Sequence, residues 1–247
     1  MTSMTVFDDL AAEQDRLDSI LGGLSDADWA ASSAAAGWTV ADVVLHLAQT
    51  EEAVIASAAG AALAIGTPGD GATVDEVMDR LVRAERQAPA DVLQRWRTAR
   101  RAAVPALRAA DPDQPLPWAV APLKPATAAT TRLAEHWAHG LDITGPLGIS
   151  FPDTARLRHV AWLAYRTLPY AFALAGEQPH RVFCALTAPD GTDTWQYGPP
   201  DADSAVTGPA GAFCRVAAQR LAPGQSGLLP TGPHGATALS LLRSYAA

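Results

Sequence analysis

The chain has 247 residues, of which 49% are hydrophobic, and a formal net charge of −8 at neutral pH. This length supports one or two domains with buried cores, and the acidic balance excludes nucleic acid, whose phosphates need clustered lysine and arginine. The N-terminal residues lack the basic and apolar regions of a secretory signal, and no apolar run reaches the roughly 18 residues of a membrane helix. We therefore expect a cytoplasmic protein without a membrane partner.

The first part of the chain predicts a set of helices with recognisable starts. Thr39 with Asp42, and Thr73 with the acidic residue three positions later, form capping boxes at two of these starts. Pro105 should bend or break one helix, and the proline-rich segment 111–125 should be a loop. Because short connections favour antiparallel neighbours, the helices predict a four-helix bundle. The predicted helices cover about 6–21, 39–58, 73–81, 89–110 and 126–141.

The rest of the chain predicts a smaller mixed domain. A long helix over Asp153–Ala175 comes first, and two alternating segments then flank Pro189-Asp190-Gly191, which is typical of a β-hairpin. A short strand near Ala205, a helix after Pro209 and a closing helix from about Ala236 follow. These runs of helix followed by mixed strand and helix indicate the α+β class. The predicted domains are a helical bundle over residues 1–150 and an α+β domain over residues 151–247.

The clearest chemical signal lies in the last helix of the predicted bundle. Glu135, His139 and Asp142 are spaced i, i+4 and i+7, so they share one face, and a carboxylate and an imidazole one turn apart can hold a metal ion. His136 lies about 100° around the helix and should point elsewhere. Taken alone the spacing is a weak signal, because an exposed hydrogen-bonded pair has it too. His46, in the apolar stretch VVLHLA, is either an ordinary core histidine or a third ligand from a facing helix.

Two segments carry a resemblance to a known family. GWTVADVVLHLA, followed later by EHWAHGLD, resembles the DinB-like superfamily and, within it, the mycothiol-dependent maleylpyruvate isomerase family. The resemblance implies that His46, Glu135 and His139 bind a divalent metal ion and that Asp142 orients a ligand imidazole. The later segment RVFCALTAPDG and the residues after it are similar to the C-terminal α+β domain of that family, so the likeness covers nearly the whole chain.

The implied metal site is of the catalytic kind, because two imidazoles and one carboxylate leave a coordination position open. We favour zinc from the resemblance, although Fe²⁺, Ni²⁺ or Mn²⁺ would suit the same ligands. In the family the incoming ligand is the thiol mycothiol. Its addition to an activated double bond, followed by rotation and elimination, would isomerise a small unsaturated acid. The resemblance thus implies a metal-dependent isomerase with mycothiol as cosubstrate.

An anionic substrate needs a cation, and in the family the C-terminal domain supplies an arginine. Arg220 is the best positional match and Arg215 a poorer one, with an ordinary surface arginine as the alternative. His159 is a candidate general acid or base, but a core or interface histidine is the favoured alternative. The expected partner is a small anionic molecule, and the protein should be a monomer or homodimer. Candidates for pocket walls, with core packing as the alternative, are Trp38, Trp118, Trp137, Trp162 and Trp195.

Other functions fit the same residues. If the thiol adduct is retained, the protein is a mycothiol S-transferase. If no thiol is used, the metal acts as a Lewis acid in a hydrolysis, cyclisation or rearrangement in secondary metabolism. In a different class of protein, the bundle binds a metal without catalysis, and the fold does not decide among these functions.

Overall fold

The structure is a computed structural model that describes residues 5–61, 73–118 and 121–245. The chain divides into two compact units between Phe151 and Pro152. The first unit is helical and the second combines helices with a four-stranded sheet, so the predicted α+β class is confirmed. Within the described ranges, every helix is too short or too polar to cross a membrane.

The N-terminal unit contains the predicted helices and one short helix that was not predicted. The capping boxes of Thr39 with Asp42 and of Thr73 with Glu76 are both present, which confirms the two helix starts. A third capping box, Ser25 with Asp28, begins the short helix. The helices are α1 Val6–Leu21, α2 Asp26–Ala30, α3 Val40–Ala58, α4 Val74–Ala84, α5 Pro89–Ala109 and α6 Pro125–Thr144.

The long helices α1, α3, α5 and α6 pack against one another. Helix α3 contacts α5 and α6, and α1 contacts the same two helices. Their apolar faces meet in a core that excludes water and fixes how α3 lies beside α6. This packing positions the candidate site, because His46 is on α3 while Glu135 and His139 are on α6. Core members include Leu17, Val43, Leu47, Trp96 and Ile143.

Pro105 neither ends nor breaks α5, so the predicted break is wrong. The helix runs without interruption through Pro105 to Ala109. Proline cannot donate to the carbonyl of Arg101, one turn earlier, but Pro105 and Arg101 both lie on the exposed face of the helix. Water can therefore satisfy that carbonyl, and the lost hydrogen bond does not force the helix to end.

The C-terminal unit is built around a sheet of four strands, which are β1 Val182–Thr187, β2 Thr194–Tyr197, β3 Ser204–Pro209 and β4 Leu229–Thr231. Their order in the sheet is β2-β1-β3-β4. Strands β1 and β2 pair antiparallel, which confirms the predicted hairpin, while β1 and β3 pair parallel and β3 and β4 antiparallel. Strand β4 was not predicted, because three exposed residues that include a proline carry no strand pattern. The helices are α7 Leu157–Arg166, α8 Leu168–Leu174, α9 Ala210–Ala217 and α10 Gly232–Leu241.

The single helix predicted over Asp153–Ala175 is wrong. The structure has two helices, α7 and α8, which meet at Thr167. Pro169 has no N–H and cannot donate to the carbonyl of Tyr165, so the backbone ladder is interrupted there. The N–H of Thr167 still donates to the carbonyl of Leu163, and the Thr167 hydroxyl lies within hydrogen-bond distance of the carbonyls of Leu163 and Ala164. The missing donor of Pro169 thus divides the segment.

Replacing Asp42 with alanine is expected to destabilise the N-terminal unit. Asp42 is 3% exposed, completes the capping box with Thr39 and accepts two hydrogen bonds of 2.8 Å from Arg86. Losing the cap and the partly exposed ion pair should lower the free energy of unfolding by about 1–3 kcal/mol, measured by urea denaturation of the full chain. Asp28→Ala is the control, because Asp28 makes a capping box without an arginine. A smaller loss for Asp42→Ala than for Asp28→Ala would contradict this account.

Candidate metal centre

Three side chains from two helices converge in the N-terminal unit. The Oε2 atom of Glu135 lies 3.5 Å from His46 Nε2 and 3.4 Å from His139 Nε2. The ligand atoms of the three residues all lie within 4.8 Å of one another. In the part of the chain that the structure describes, no other group of three histidine, cysteine or acidic side chains comes this close. The residues predicted from sequence are therefore neighbours in space.

The spacing and chemistry of these donors fit a divalent metal ion. Zinc bonds to imidazole nitrogen and carboxylate oxygen are about 2.0–2.1 Å long, so two ligand atoms of a tetrahedral site are about 3.3–3.4 Å apart. The two distances from Glu135 to the histidines, 3.4 and 3.5 Å, are close to that edge length. They are longer than the 2.7–2.9 Å typical of charge-assisted hydrogen bonds. The arrangement thus suits an ion between the three atoms better than direct hydrogen bonds.

Asp142 lies against the second nitrogen of His139. Its Oδ2 atom is 2.9 Å from His139 Nδ1, and the Asp142 side chain is 1% exposed. With its proton on Nδ1, His139 donates to this carboxylate, which leaves the lone pair of Nε2 directed toward Glu135. Carboxylates commonly hold ligating imidazoles in this way. The contact therefore suits the orienting role that the resemblance implies for Asp142.

His46 and its aromatic neighbour form the other side of the site. Among the described residues, the buried Nδ1 of His46 finds no hydrogen-bond partner. The ring of Trp38 lies 5.2 Å from the His46 ring and 6.4 Å from the His139 ring. Trp38 is held there by a 2.9 Å hydrogen bond from its Nε1 to Asp79 on α4. Trp38 is thus a wall of the site.

The pKa values of the three side chains are shifted by burial and by one another. Burial would raise the pKa of Glu135, but the neighbouring imidazoles of His139 and His46 favour its charged form and lower the pKa well below its ordinary value. Burial lowers the pKa of His46. Burial also opposes protonation of His139, but Asp142 and Glu135 outweigh it and raise the pKa of His139. A proton on His139 is therefore the competitor of a metal ion.

Metal affinity should consequently decrease as the pH is lowered, and the decrease should begin above pH 6.5, the ordinary pKa of histidine. Below the raised pKa of His139, a cation must displace one proton, so the binding constant should drop tenfold per pH unit. His46, whose pKa is lowered, is already neutral there and adds no second proton. Titration of metal-free protein with Co²⁺ between about pH 6 and 8 measures this slope. An affinity that is constant over the whole interval would contradict the assignment.

His136 points away from the site, as predicted from its position on the helix. It is fully buried, and its Nε2 accepts a 3.2 Å hydrogen bond from Trp96 while its Nδ1 lies 2.8 Å from the carbonyl of Arg132. Burial, reinforced by the charge of Arg132, lowers the pKa of His136 well below its ordinary value. This histidine is therefore a neutral member of the core.

A buried ion pair that was not predicted from the sequence lies beside the ligands. Arg132 and Glu51 are 2% and 0% exposed, and the Nε of Arg132 donates to Glu51 over 2.9 Å. Both residues stand within charged or polar segments that read as exposed. A signal was available for Arg132 only, because it precedes Glu135 by three residues and so lies on a neighbouring part of the same helix face, whereas Glu51 is five residues after His46 and does not share its face.

The other predicted site residues lie in the C-terminal unit. Arg220 follows α9 on an exposed turn, and its Nη1 donates to the carbonyl of Ala218. Arg215, on α9, makes a bidentate ion pair with Asp153 at 2.7 and 2.9 Å. His159 is half-buried on α7, with its Nε2 3.3 Å from Arg158 Nε. Their catalytic roles stay predictions.

Comparison with known proteins was made by family, by sequence and by structure. The family model of the mycothiol maleylpyruvate isomerase N-terminal domain matches residues 10–144. Two proteins from two strains of Mycobacterium tuberculosis, both named as uncharacterised, are 36% identical over 221 residues, covering 87% of this chain and 84% of the relative. Crystal structures of the mycothiol-dependent maleylpyruvate isomerase and of a histidine-to-alanine mutant match with TM-scores of 0.61 and 0.62.

These matches differ in what they establish. The crystal structures share 15% sequence identity with the chain, over 92% of this chain and 91% of theirs, and so concern the fold alone. The family match, in contrast, spans more than half of the sequence and includes α3 and α6 with the three converging side chains. The chain therefore belongs to the mycothiol maleylpyruvate isomerase family.

Proposed function

We propose that the protein is a metal-dependent enzyme in which His46, Glu135 and His139 hold a divalent ion, with zinc favoured. The observation that carries this proposal is the convergence of two imidazole nitrogens and one carboxylate oxygen within 4.8 Å. Three protein ligands leave a position open for a reactant, as in catalytic rather than structural zinc sites. Membership of the family supports the same reading.

A bound cation would supply a Lewis acid that lowers the pKa of a thiol or water reaching the open position. Glu135, Asp142 and Trp38 set the charge, the protonation and the water access of that position. Glu135 contributes one negative charge, so a divalent ion would keep a net positive charge toward the reactant. Asp142 keeps the proton of His139 on Nδ1, away from the site. The Trp38 ring covers the His46 and His139 rings and keeps water from that side.

We further propose mycothiol as the thiol and a small unsaturated acid as the substrate, with isomerisation as the reaction. Membership of the family and the activity for which the structural neighbours are named support this choice. Arg220 is proposed to bind the substrate carboxylate, because a guanidinium matches a carboxylate in geometry and charge. His159 is proposed as the group that donates or accepts a proton.

Metal analysis of protein purified without chelator tests the first part of the proposal. We expect close to one divalent ion per chain, removable with a chelator and restored by Zn²⁺ or Co²⁺. Protein that takes up neither metal after chelation would refute the metal-dependent function.

The thiol is tested separately on the Co²⁺ form. Mycothiol should change the visible spectrum of bound Co²⁺, and an unchanged spectrum would argue for chemistry without a thiol. With a cis-unsaturated dicarboxylate or keto acid, mass spectrometry should find a product of unchanged mass, whereas a retained adduct would indicate transfer.

Arg220→Ala should raise KM or lower kcat, with Arg181→Ala, an exposed arginine paired with Asp201, as the control. Equal kinetics for both variants would remove Arg220 from the site.

A further inference from the structure

A buried hydrogen-bond network joins α3 to α6 directly behind the candidate ligands. Arg132 donates from Nε to Glu51 Oε1 over 2.9 Å and from Nη2 to Thr50 Oγ1 over 2.7 Å. The hydroxyl of Thr50 in turn donates to the carbonyl of His46 over 2.8 Å. The network therefore runs from a residue one turn before Glu135, across the helix interface, to the backbone of His46 itself.

The place of the network gives it a mechanical consequence. Arg132 and Glu51 are essentially inaccessible to water, so water cannot replace a hydrogen bond that is lost when one helix slides along the other. Because the Arg132 guanidinium donates to two neighbouring residues of α3, both hydrogen bonds form in one register of the two helices and are lost in others. Apolar side chains elsewhere along the interface pack with less directional demand. The register decides whether His46 Nε2 meets Glu135 and His139.

A second branch fixes the other helix. The carbonyl of Arg132 lies 2.8 Å from Nδ1 of His136, and Nε2 of His136 accepts the hydrogen bond from Trp96 on α5. His136 follows Glu135 directly, so the rotation of the ligand-bearing turn of α6 is tied to α5. Both helices that carry ligands are thus anchored within one turn of them.

We infer that Arg132 is a positioning residue of the metal centre, which acts through Thr50 and Glu51 on the turn of α3 that carries His46. This inference rests on the proposed metal site. It predicts that disrupting the network weakens metal binding even in protein that stays folded. Partners that orient ligands in this indirect way typically change metal affinity by about 10- to 100-fold.

Two other roles for the pair must be separated from positioning. If the pair serves only stability, its loss changes the unfolding midpoint but not the metal affinity of the folded protein. If the pair acts only through charge, the two single substitutions do not both lower the metal affinity. Glu51→Gln leaves a positive charge near the ligands and weakens cation binding, whereas Arg132→Met removes that charge and leaves affinity unchanged or higher. Positioning requires that both substitutions weaken binding.

The experiment measures Co²⁺ affinity of the full-length, metal-free protein at constant pH, with circular dichroism to check the fold. Arg132→Met and Glu51→Gln should each lose about 10- to 100-fold in affinity. Arg97→Met is the matched control. Arg97 pairs with Asp18 between α5 and α1, and its loss should leave affinity within about threefold of the parent.

Two further variants keep the test decisive if a single charge loss prevents folding. Thr50→Val preserves shape but removes the link to the His46 carbonyl, and should lose roughly tenfold in affinity. The double variant Glu51→Leu with Arg132→Met removes both buried charges, and should fold while it still binds Co²⁺ weakly. Parental affinity in Arg132→Met, Glu51→Gln, Thr50→Val or the double variant would overturn the inference. Absence of Co²⁺ binding by the parent would instead refute the metal site.

Discussion

Replacing His46 with leucine is expected to remove metal binding while making the metal-free protein more stable. Apparent binding free energies of four-ligand zinc sites are about 10–16 kcal/mol, so losing one ligand should cost at least about 100-fold in affinity. In the metal-free state, however, His46 is buried and its Nδ1 is without a partner among the described residues. An apolar side chain of similar size removes that penalty, and a gain of about 1 kcal/mol is expected.

Calorimetric titration with Zn²⁺ and thermal unfolding of the metal-free protein measure the two effects of His46→Leu. His180→Leu is the control, because His180 belongs to the C-terminal unit, where it is half-buried and stacks on His234. The control should keep parental zinc affinity. Retention of one tightly bound zinc ion by His46→Leu would contradict the ligand assignment. A large loss of metal-free stability would show that His46 has a packing role that outweighs its unpaired nitrogen.

Replacing Asp142 with asparagine is expected to weaken metal binding by about 10- to 100-fold without removing it. Asparagine can still accept a hydrogen bond from His139 Nδ1, but it no longer supplies the negative charge that makes Nε2 a stronger donor to the metal. Because the charge of Asp142 also raises the pKa of His139, its loss should lower that pKa. The pH at which metal affinity begins to fall should move down with it.

Co²⁺ titrations of Asp142→Asn at several pH values measure both changes. Glu52→Gln provides the control, since Glu52 lies on α3 and pairs with Arg95 at a partly exposed position. Its affinity and pH profile should equal those of the parent. If Asp142→Asn weakens binding but leaves the pH profile unchanged, the charge of Asp142 does not raise the pKa of His139, and Asp142 acts only through the orienting hydrogen bond.

The parts of the fold that were predictable from sequence are those set by local interactions. Capping boxes are contacts between residues three apart, so Thr39 and Thr73 marked helix starts that the structure contains. The helical spacing of Glu135 and His139 is also local, which is why their shared face could be deduced. The wrong predictions were also made from local sequence alone. Whether the helix continues past Pro105 or divides near Thr167 depends on where the carbonyl left without a backbone donor lies in the fold.

The neighbours of the metal centre could not be deduced in this way. Glu51 and Arg132 are 81 residues apart, and each alone reads as a solvated charge. Trp38 was one of several tryptophans that could form a wall, and its hydrogen bond to Asp79 is what places its ring over the histidines. Such pairings arise from the packing of whole helices, which a single sequence without its fold does not contain.

The ligands of the candidate centre come from distant parts of the chain, and this separation has a consequence for unfolding. His46 and Glu135 are 89 residues apart. A link that closes a loop of this length removes about 4–5 kcal/mol of conformational freedom from the unfolded chain in the chain-entropy description. A bound metal ion would therefore act as a removable cross-link that stabilises the N-terminal unit. Chelation should lower the unfolding temperature of that unit. The sheet of the C-terminal unit contributes none of the three ligands and gains no such stabilisation from the ion.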